Sequence, residues 1–239
     1  MTNFSLRYKT LISRLFKSRK NKINAPFATQ IVLQKSSRDN EIIVSNENKC
    51  KDLKKLKILI RGNENRVVIG KNLTIKESCQ ITINGNNNTV ILEDNIGVWL
   101  RADLRISTEC QNGSIQIGNG TSIWDAEVLN IDSGSSISIG SDCMISKGVA
   151  IQNSDQHVIL SNGQVCNRAQ KLCIGNHVWV GANVSILKNT IIPEGAVIGR
   201  GAIVAGRFEE PNSVIVGVPA RVVKRNNRWE RGRVNDYEV

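Results

Sequence analysis

The stretch Ile174-Gly-Asn-His-Val-Trp-Val-Gly-Ala-Asn-Val-Ser-Ile-Leu-Lys-Asn-Thr-Ile-Ile-Pro-Glu-Gly-Ala-Val-Ile-Gly-Arg-Gly-Ala-Ile-Val-Ala205 decides the fold. An aliphatic residue returns at every sixth position: Ile174, Val180, Ile186, Ile192, Ile198 and Val204. Four places after each of the first five stands a small or β-branched residue: Val178, Val184, Thr190, Ala196 and Ala202. A period of six fits neither an amphipathic helix nor a lone alternating strand. It fits short parallel strands stacked into a solenoid.

Working outward, similar lines recur upstream: Val67-Val-Ile-Gly-Lys-Asn72, Val90-Ile-Leu-Glu-Asp-Asn95, Ile115-Gln-Ile-Gly-Asn-Gly120, Ile137-Ser-Ile-Gly-Ser-Asp142 and Leu172-Cys-Ile-Gly-Asn-His177. Each is strand-like before a turn-like step. From Ile69 to Leu92, Ile117, Ile139, Ile174 and Ile192 the steps are 23, 25, 22, 35 and 18 residues. Eighteen is three hexapeptides, one triangular coil. The step of 35 leaves 17 residues over, which predicts a loop extruded near 154–171. Such a loop on a rigid scaffold is a natural place for function.

Residues 1–22 differ from the rest. Phe4, Tyr8, Leu11, Ile12, Leu15 and Phe16 form an apolar stripe at helical spacing, beside seven basic residues and no acid. This predicts a basic amphipathic helix, suited to an anionic membrane surface or polymer, or to packing on the solenoid. Residues 23–55 read as polar and mixed, with Ile42–Val44 a first strand. The expected organisation is residues 1–60 as helix and capping segment, 61–210 as solenoid, and 211–239 as a basic extension.

The 239 residues carry a formal charge of +11, which points to an acidic partner. No apolar run approaches the roughly 18 residues of a membrane span and no secretory signal is visible, so the cytoplasm is the expected location. Of six cysteines none forms a Cys-x-x-Cys pair; Cys79, Cys110 and Cys143 fall in the small-residue slot of their coils and read as small buried hydrophobes. A zinc enzyme built on such a solenoid needs about three histidine ligands, and the chain has two, so no metal is expected.

Three pieces carry a family resemblance: Asn153-Ser-Asp-Gln-His157 before the loop, the Ile174–Ala182 line after it, and Val214-Ile-Val-Gly-Val-Pro-Ala-Arg-Val-Val-Lys224. In this order they resemble the hexapeptide acyltransferases, among them the bacterial O-acetyltransferases of capsule and lipopolysaccharide sugars. The similarity covers about residues 67–225. It implies an all-β, left-handed parallel β-helix with an extruded loop, an N-terminal helical segment and a short C-terminal extension. It also implies a homotrimer, with acetyl-CoA as co-substrate in the groove between neighbouring prisms.

Acyl transfer to a sugar hydroxyl needs a base, and His157 is placed for that role at the start of the loop. Asp155 is either its orienting helper or a corner-turn residue. The resemblance makes the backbone N–H of Ala182 the oxyanion donor and Trp179 a wall of the acyl-CoA and acceptor channel. It places Gly181, Gly199, Arg200 and Ala202 beside the pantetheine arm, and Arg221 and Lys224 near the CoA phosphates. The family's Thr-Lys step is replaced by Ala205-Gly206-Arg207, where Arg207 substitutes. His177 reads as a turn residue, in the position of Asn72, Asn95, Gly120 and Asp142. Trp99, Arg101 and Trp124 form an acceptor platform if they face outward.

The leading expectation is an O-acetyltransferase acting on an acidic saccharide, such as a capsule containing sialic acid. The alternatives are an N-acetyltransferase for a nucleotide-linked amino sugar and a non-catalytic module for anionic polymers. Nucleic acid is not the expected partner.

Overall fold

The computed structural model describes residues 20–236. The chain winds as a parallel β-solenoid with three faces. The first face is an eight-stranded sheet: Lys22–Asn24, Glu41–Val44, Arg66–Ile69, Thr89–Leu92, Ser114–Ile117, Ser136–Ile139, Lys171–Ile174 and Ile191–Ile192. Its register pairs Ile69 with Leu92, Leu92 with Ile117, Ile117 with Ile139, Ile139 with Ile174 and Ile174 with Ile192. These are the aliphatic positions from which the coil lengths were counted.

The second face stacks Thr74–Ile75, the start of Gly97–Gln111, the start of Ser122–Asn130, Met144–Ile145, Trp179–Val180, Val197–Ile198 and Val214–Gly217. The third stacks Gln30–Leu33, Leu56–Arg61, Ser78–Asn86, the later parts of the two long strands, Val149–Gln152, Ser185–Ile186 and Ile203–Val204. Gly97–Gln111 and Ser122–Asn130 run through a corner without a break, so the second and third faces form one sheet.

The hexapeptide repeat fills the core. Ile174, Val180, Ile186, Ile192, Ile198 and Val204 are all buried, as are Val178, Val184, Thr190, Ala196 and Ala202. Cys79, Cys110 and Cys143 are buried too. Burial pushes the Cys79 thiol up to about 12, with the charge of Asp103 adding to it, and is the main cause raising Cys110 and Cys143 to about 11. These thiols stay protonated and act as small apolar side chains.

A column of buried asparagines lines one corner. Asn65 donates to Oδ1 of Asn40 at 3.0 Å and to the Gly85 carbonyl at 2.9 Å, and its own Oδ1 accepts from Asn88. Asn40 in turn donates to Asn21. At another corner Asn72, Asn95, Gly120, Asp142 and His177 all adopt positive φ, between 51° and 71°. Asn tolerates this left-handed conformation and Gly adopts it freely.

Two expectations change. The solenoid does not begin at residue 61: strands at Lys22, Gln30 and Glu41 are already in register with later coils. The stack also passes residue 210, because Val214–Gly217 pairs with Val197–Ile198 and then folds back antiparallel on Ala220–Lys224. The helix expected over residues 1–22 falls outside the described residues except at its end, where Lys22 opens a strand. Among the described residues the helical pieces are one short turn, Cys50–Leu53, and the 3-10 turn Val234–Asp236. None is long and apolar enough to cross a membrane.

Candidate active site

The loop leaves the third face after Val149–Gln152 and returns at Lys171–Ile174. Its feet are tied together. Asn153, fully buried, donates to the carbonyls of Ser136 at 3.0 Å and Gln170 at 3.4 Å. Asp132 accepts from Ser154 Oγ at 2.8 Å on the outgoing foot and from the Ala169 N–H at 3.2 Å on the returning one. The loop tip is an antiparallel hairpin, Leu160–Ser161 against Gln164–Val165. Val158, Ile159, Leu160 and Val165 stand exposed on it.

His157 lies in this loop, exposed, on a cavity of about 410 Å³ lined also by Asp132, Asp155, Val165, Asn167 and Arg168. Its backbone is fixed: its N–H donates to the Asp155 carbonyl at 2.7 Å, and its carbonyl accepts from Asn167 at 2.8 Å. Its imidazole has no hydrogen-bond partner among the described residues. Asp155 does not reach it. The Asp155 carboxylate takes a hydrogen bond from Lys188 at 2.8 Å and another from Asn167 at 2.9 Å. The Lys188 bond, seconded by Asn167, holds that carboxyl below the usual carboxylate range against a weaker effect of burial. Within this chain Asp155 braces the loop against Lys188 on the coil beneath. Asp132, Asn167 and Lys188 were not foreseen, and Asn153 was seen only as the first residue of the motif before the loop; all are ordinary polar residues that only the loop's closure brings together.

Trp179 and Ala182 belong to the second face and its corner, whereas the His157 loop leaves from the third. One chain therefore puts the imidazole and the indole on different sides of the prism. The Trp179 indole is 37 % exposed and donates to Ser146 Oγ at 3.3 Å. The Ala182 carbonyl accepts from Gly201 at 2.9 Å, and the Ala182 N–H has no partner among the described residues. Gly181 and Gly199 sit at tight corners: a Cβ on Gly181 would meet the Ile198 carbonyl oxygen at 2.7 Å, and one on Gly199 the Val216 side chain at 2.5 Å. Ala202 is buried and points into the core.

The cations sort into two sets. Arg225 pairs with Glu210 at 2.9 Å, Arg228 with Glu230 at 2.6 Å and Arg231 with Asp142 at 3.0 Å. Arg200, Arg207, Arg221 and Lys224 are exposed and have no acidic partner among the described residues.

The C-terminal segment is not a solvated tail. Trp229 is 6 % exposed, stacked on His177, and its indole N–H donates to the His177 carbonyl at 2.8 Å. The imidazole of His177 lies 2.7 Å from Asp142 through Nδ1 and 3.1 Å from the Trp229 carbonyl through Nε2. Trp229 also packs tilted on Trp179, with ring centroids 6.2 Å apart. Arg231 spans two coils, reaching Ser122 Oγ at 2.9 Å and the carbonyls of Gly120 at 3.3 Å and Cys143 at 3.0 Å. His177 keeps its turn conformation and adds this clasp to it. Among the described residues no group of three His, Cys, Asp or Glu side chains is placed to hold a metal ion.

No family model matches the chain. It is 40 % identical over 176 residues to a polysialic acid O-acetyltransferase of Neisseria meningitidis, covering 73 % of this chain and 79 % of that one. The crystal structure of the polysialic acid O-acetyltransferase OatWY superposes with a TM-score of 0.75 at 34 % identity, over 87 % of this chain and 94 % of that one. That of the polySia-specific acetyltransferase NeuO gives 0.70 at 26 % identity, over 87 % and 92 %. The chain belongs to the family of the polysialic acid O-acetyltransferases, acetyl-CoA-dependent enzymes built on a hexapeptide-repeat β-solenoid.

Proposed function

We propose that this protein moves an acetyl group from acetyl-CoA to a hydroxyl of a sialic-acid-containing polysaccharide, with His157 as general base. The observation that carries this is the state of His157. Its backbone is pinned by Asp155 and Asn167 while its imidazole stands unpartnered on an open cavity. An exposed ring of this kind is free to take the proton of an incoming hydroxyl. The partnerless N–H of Ala182 is suited to receive the developing oxyanion, since a donor already committed elsewhere would not serve.

Because His157 and Trp179 sit on different sides of one prism, a complete site joins the loop of one chain to the Trp179 face of a second copy. A homotrimer of left-handed prisms is the assembly that the resemblance implies. The exposed apolar hairpin around Leu160 supplies a surface for that contact. Arg200, Arg207, Arg221 and Lys224, free of acidic partners, are the cations available to the CoA phosphates. Gly181 and Gly199 keep the corners beside them free of side chains.

The test is release of free thiol from acetyl-CoA with sialic acid polymer as acceptor. Wild type should turn over, and His157→Ala should lose about 10²–10⁴-fold of kcat. Turnover unchanged by the substitution, or no transfer to any sialoglycan, sinks the reading.

A further inference from the structure

We infer that Trp99 and Trp124, capped by Lys76, form a binding subsite for the acidic glycan chain, separate from the reacting centre and on the face that leads to it. The inference rests on the acceptor class proposed above and specifies where a long acceptor is held.

The argument begins with register. Ile75 pairs with Val98, Val98 with Ile123, Ile123 with Ile145, Ile145 with Val180, and Val180 with Ile198. The residues that follow these occupy one column along the second face: Lys76, Trp99, Trp124, Ser146, Gly181 and Gly199. In the coils of Gly181 and Gly199 the column turns a tight corner, where a Cβ strikes the next coil. In the two earlier coils the strands run on through the corner, and a bulge sets Trp99 and Leu100 against the single residue Trp124. The bulge re-aims the side chains outward.

The result is a pair of standing indoles, 44 % and 53 % exposed, with centroids 6.4 Å apart and planes 25° from parallel. The Lys76 ammonium lies 5.6 Å over the Trp99 ring and has no acidic partner among the described residues. One coil beyond Trp124 in the same column is Ser146, which accepts the indole N–H of Trp179. The row therefore runs from a free cation, over two indoles, to the tryptophan of the candidate site.

Flat apolar faces with an unneutralised cation beside them match a pyranose chain that carries carboxylates: C–H faces lie on indoles, and the anion meets the ammonium. The chain's charge of +11 favours the same ligand. Coils rise by about 4.8 Å, so a chain lying along the column crosses one coil for about every sugar ring. Arg101, grouped with the tryptophans in the sequence, is not part of this subsite: its guanidinium is held by Asp125 at 2.9 Å.

A subsite one to two coils from Ser146, and two to three from Trp179, serves long acceptors and not short ones. The experiment measures affinity for sialic acid oligomers of graded length and for the polymer by calorimetry without acetyl-CoA, and turnover on the same series. Trp99→Ala/Trp124→Ala should lose roughly tenfold or more of its affinity for the polymer. It should also raise KM for the polymer while leaving kcat and KM on the shortest accepted oligomer unchanged. The double Phe variant should recover part of the loss, and His157→Ala should bind as wild type does. Polymer affinity unchanged in the double Ala variant overturns the subsite, as does equal loss on short and long acceptors. A change in solution mass also overturns it, because the face would then be a subunit contact. A wild type that binds no polymer overturns it too. Binding without turnover leaves the subsite standing and sinks the transfer reading instead.

Discussion

The rings of His177 and Trp229, 52 residues apart in the chain, lie 4.2 Å apart between centroids and within 11° of parallel. This contact turns the C-terminal segment into a clasp across the corner beside Trp179. Truncating a buried Trp costs about 3–5 kcal/mol. The coils are held by their own strands, so the loss should fall on local opening of the clasp. In Trp229→Ala, amide exchange over 225–236 should rise by about 100-fold or more, with exchange in the coils little changed. Equal acceleration in tail and coils would show the clasp to be part of one cooperative unit.

The clasp should also loosen in acid. Burial acts to raise the Asp142 pKa, but the hydrogen bonds from His177 and Arg231 together outweigh it and hold the carboxyl below its ordinary 3.8. The folded pKa is the lower one, so Asp142 contributes fully above the ordinary value and loses its contribution as pH falls through the depressed one. Tail exchange or proteolysis, compared between wild type and Asp142→Asn, should converge as the pH falls below the ordinary 3.8 and through the depressed value. A gap that persists there would contradict the assignment.

Asp155 and His157 should separate sharply in kinetics. The Asp155 carboxylate is bound to Lys188 and Asn167, so Asp155→Asn keeps a partner for one and loses the ion pair with the other. Turnover should fall by less than about tenfold, the scale of an exposed ion pair, against the far larger loss expected for His157→Ala. Equal losses in the two variants would mean that Asp155 turns to the imidazole during the reaction.

The buried asparagine column predicts a stability effect far from any chemistry. Asn65 is fully buried, and its side chain bonds Asn40, Gly85 and Asn88. Asn65→Leu leaves the Gly85 carbonyl and the Asn88 amide short of a partner, at about 1–3 kcal/mol each, while Asn40 Oδ1 keeps the backbone N–H of residue 65. Denaturant unfolding should show a loss of at least about 2 kcal/mol. A loss under about 1 kcal/mol would mean that neighbouring groups re-pair.

The two sets of cations give a contrast in cofactor binding. Arg221→Ala/Lys224→Ala should raise KM for acetyl-CoA by roughly tenfold, because each removes a charge free to meet phosphate. Arg225→Ala/Arg228→Ala should leave it within about twofold, since those guanidiniums already face Glu210 and Glu230. Equal effects would remove the distinction between them.

The core was legible because it is periodic. Ile69, Leu92, Ile117, Ile139, Ile174 and Ile192 could be aligned by eye, and the sheet pairs them in that order. The loop was legible by subtraction, as 17 residues in excess of a coil. Before residue 61 only Ile42–Val44 was legible as a strand; Gln30–Leu33, a lone four-residue run, was not. The clasp escaped for a different reason. Trp229 and Arg231 meet His177 and Asp142 through contacts that no period encodes, amid basic residues that look solvated. Asp155 was read either as helper or as turn residue, and its partner Lys188 lies on another coil, invisible until the chain is wound.

One feature of the winding reaches beyond this chain. Ser136–Ile139 and Lys171–Ile174 pair residue for residue although the hairpin loop intervenes, and Asn153 and Asp132 close its base. The coils therefore do not register how long the loop is or what it contains. It is a cassette clipped onto a staircase. Its length and side chains can be rewritten without moving a step, so an enzyme of this design can change its acceptor while its thermal tolerance stays that of the stair.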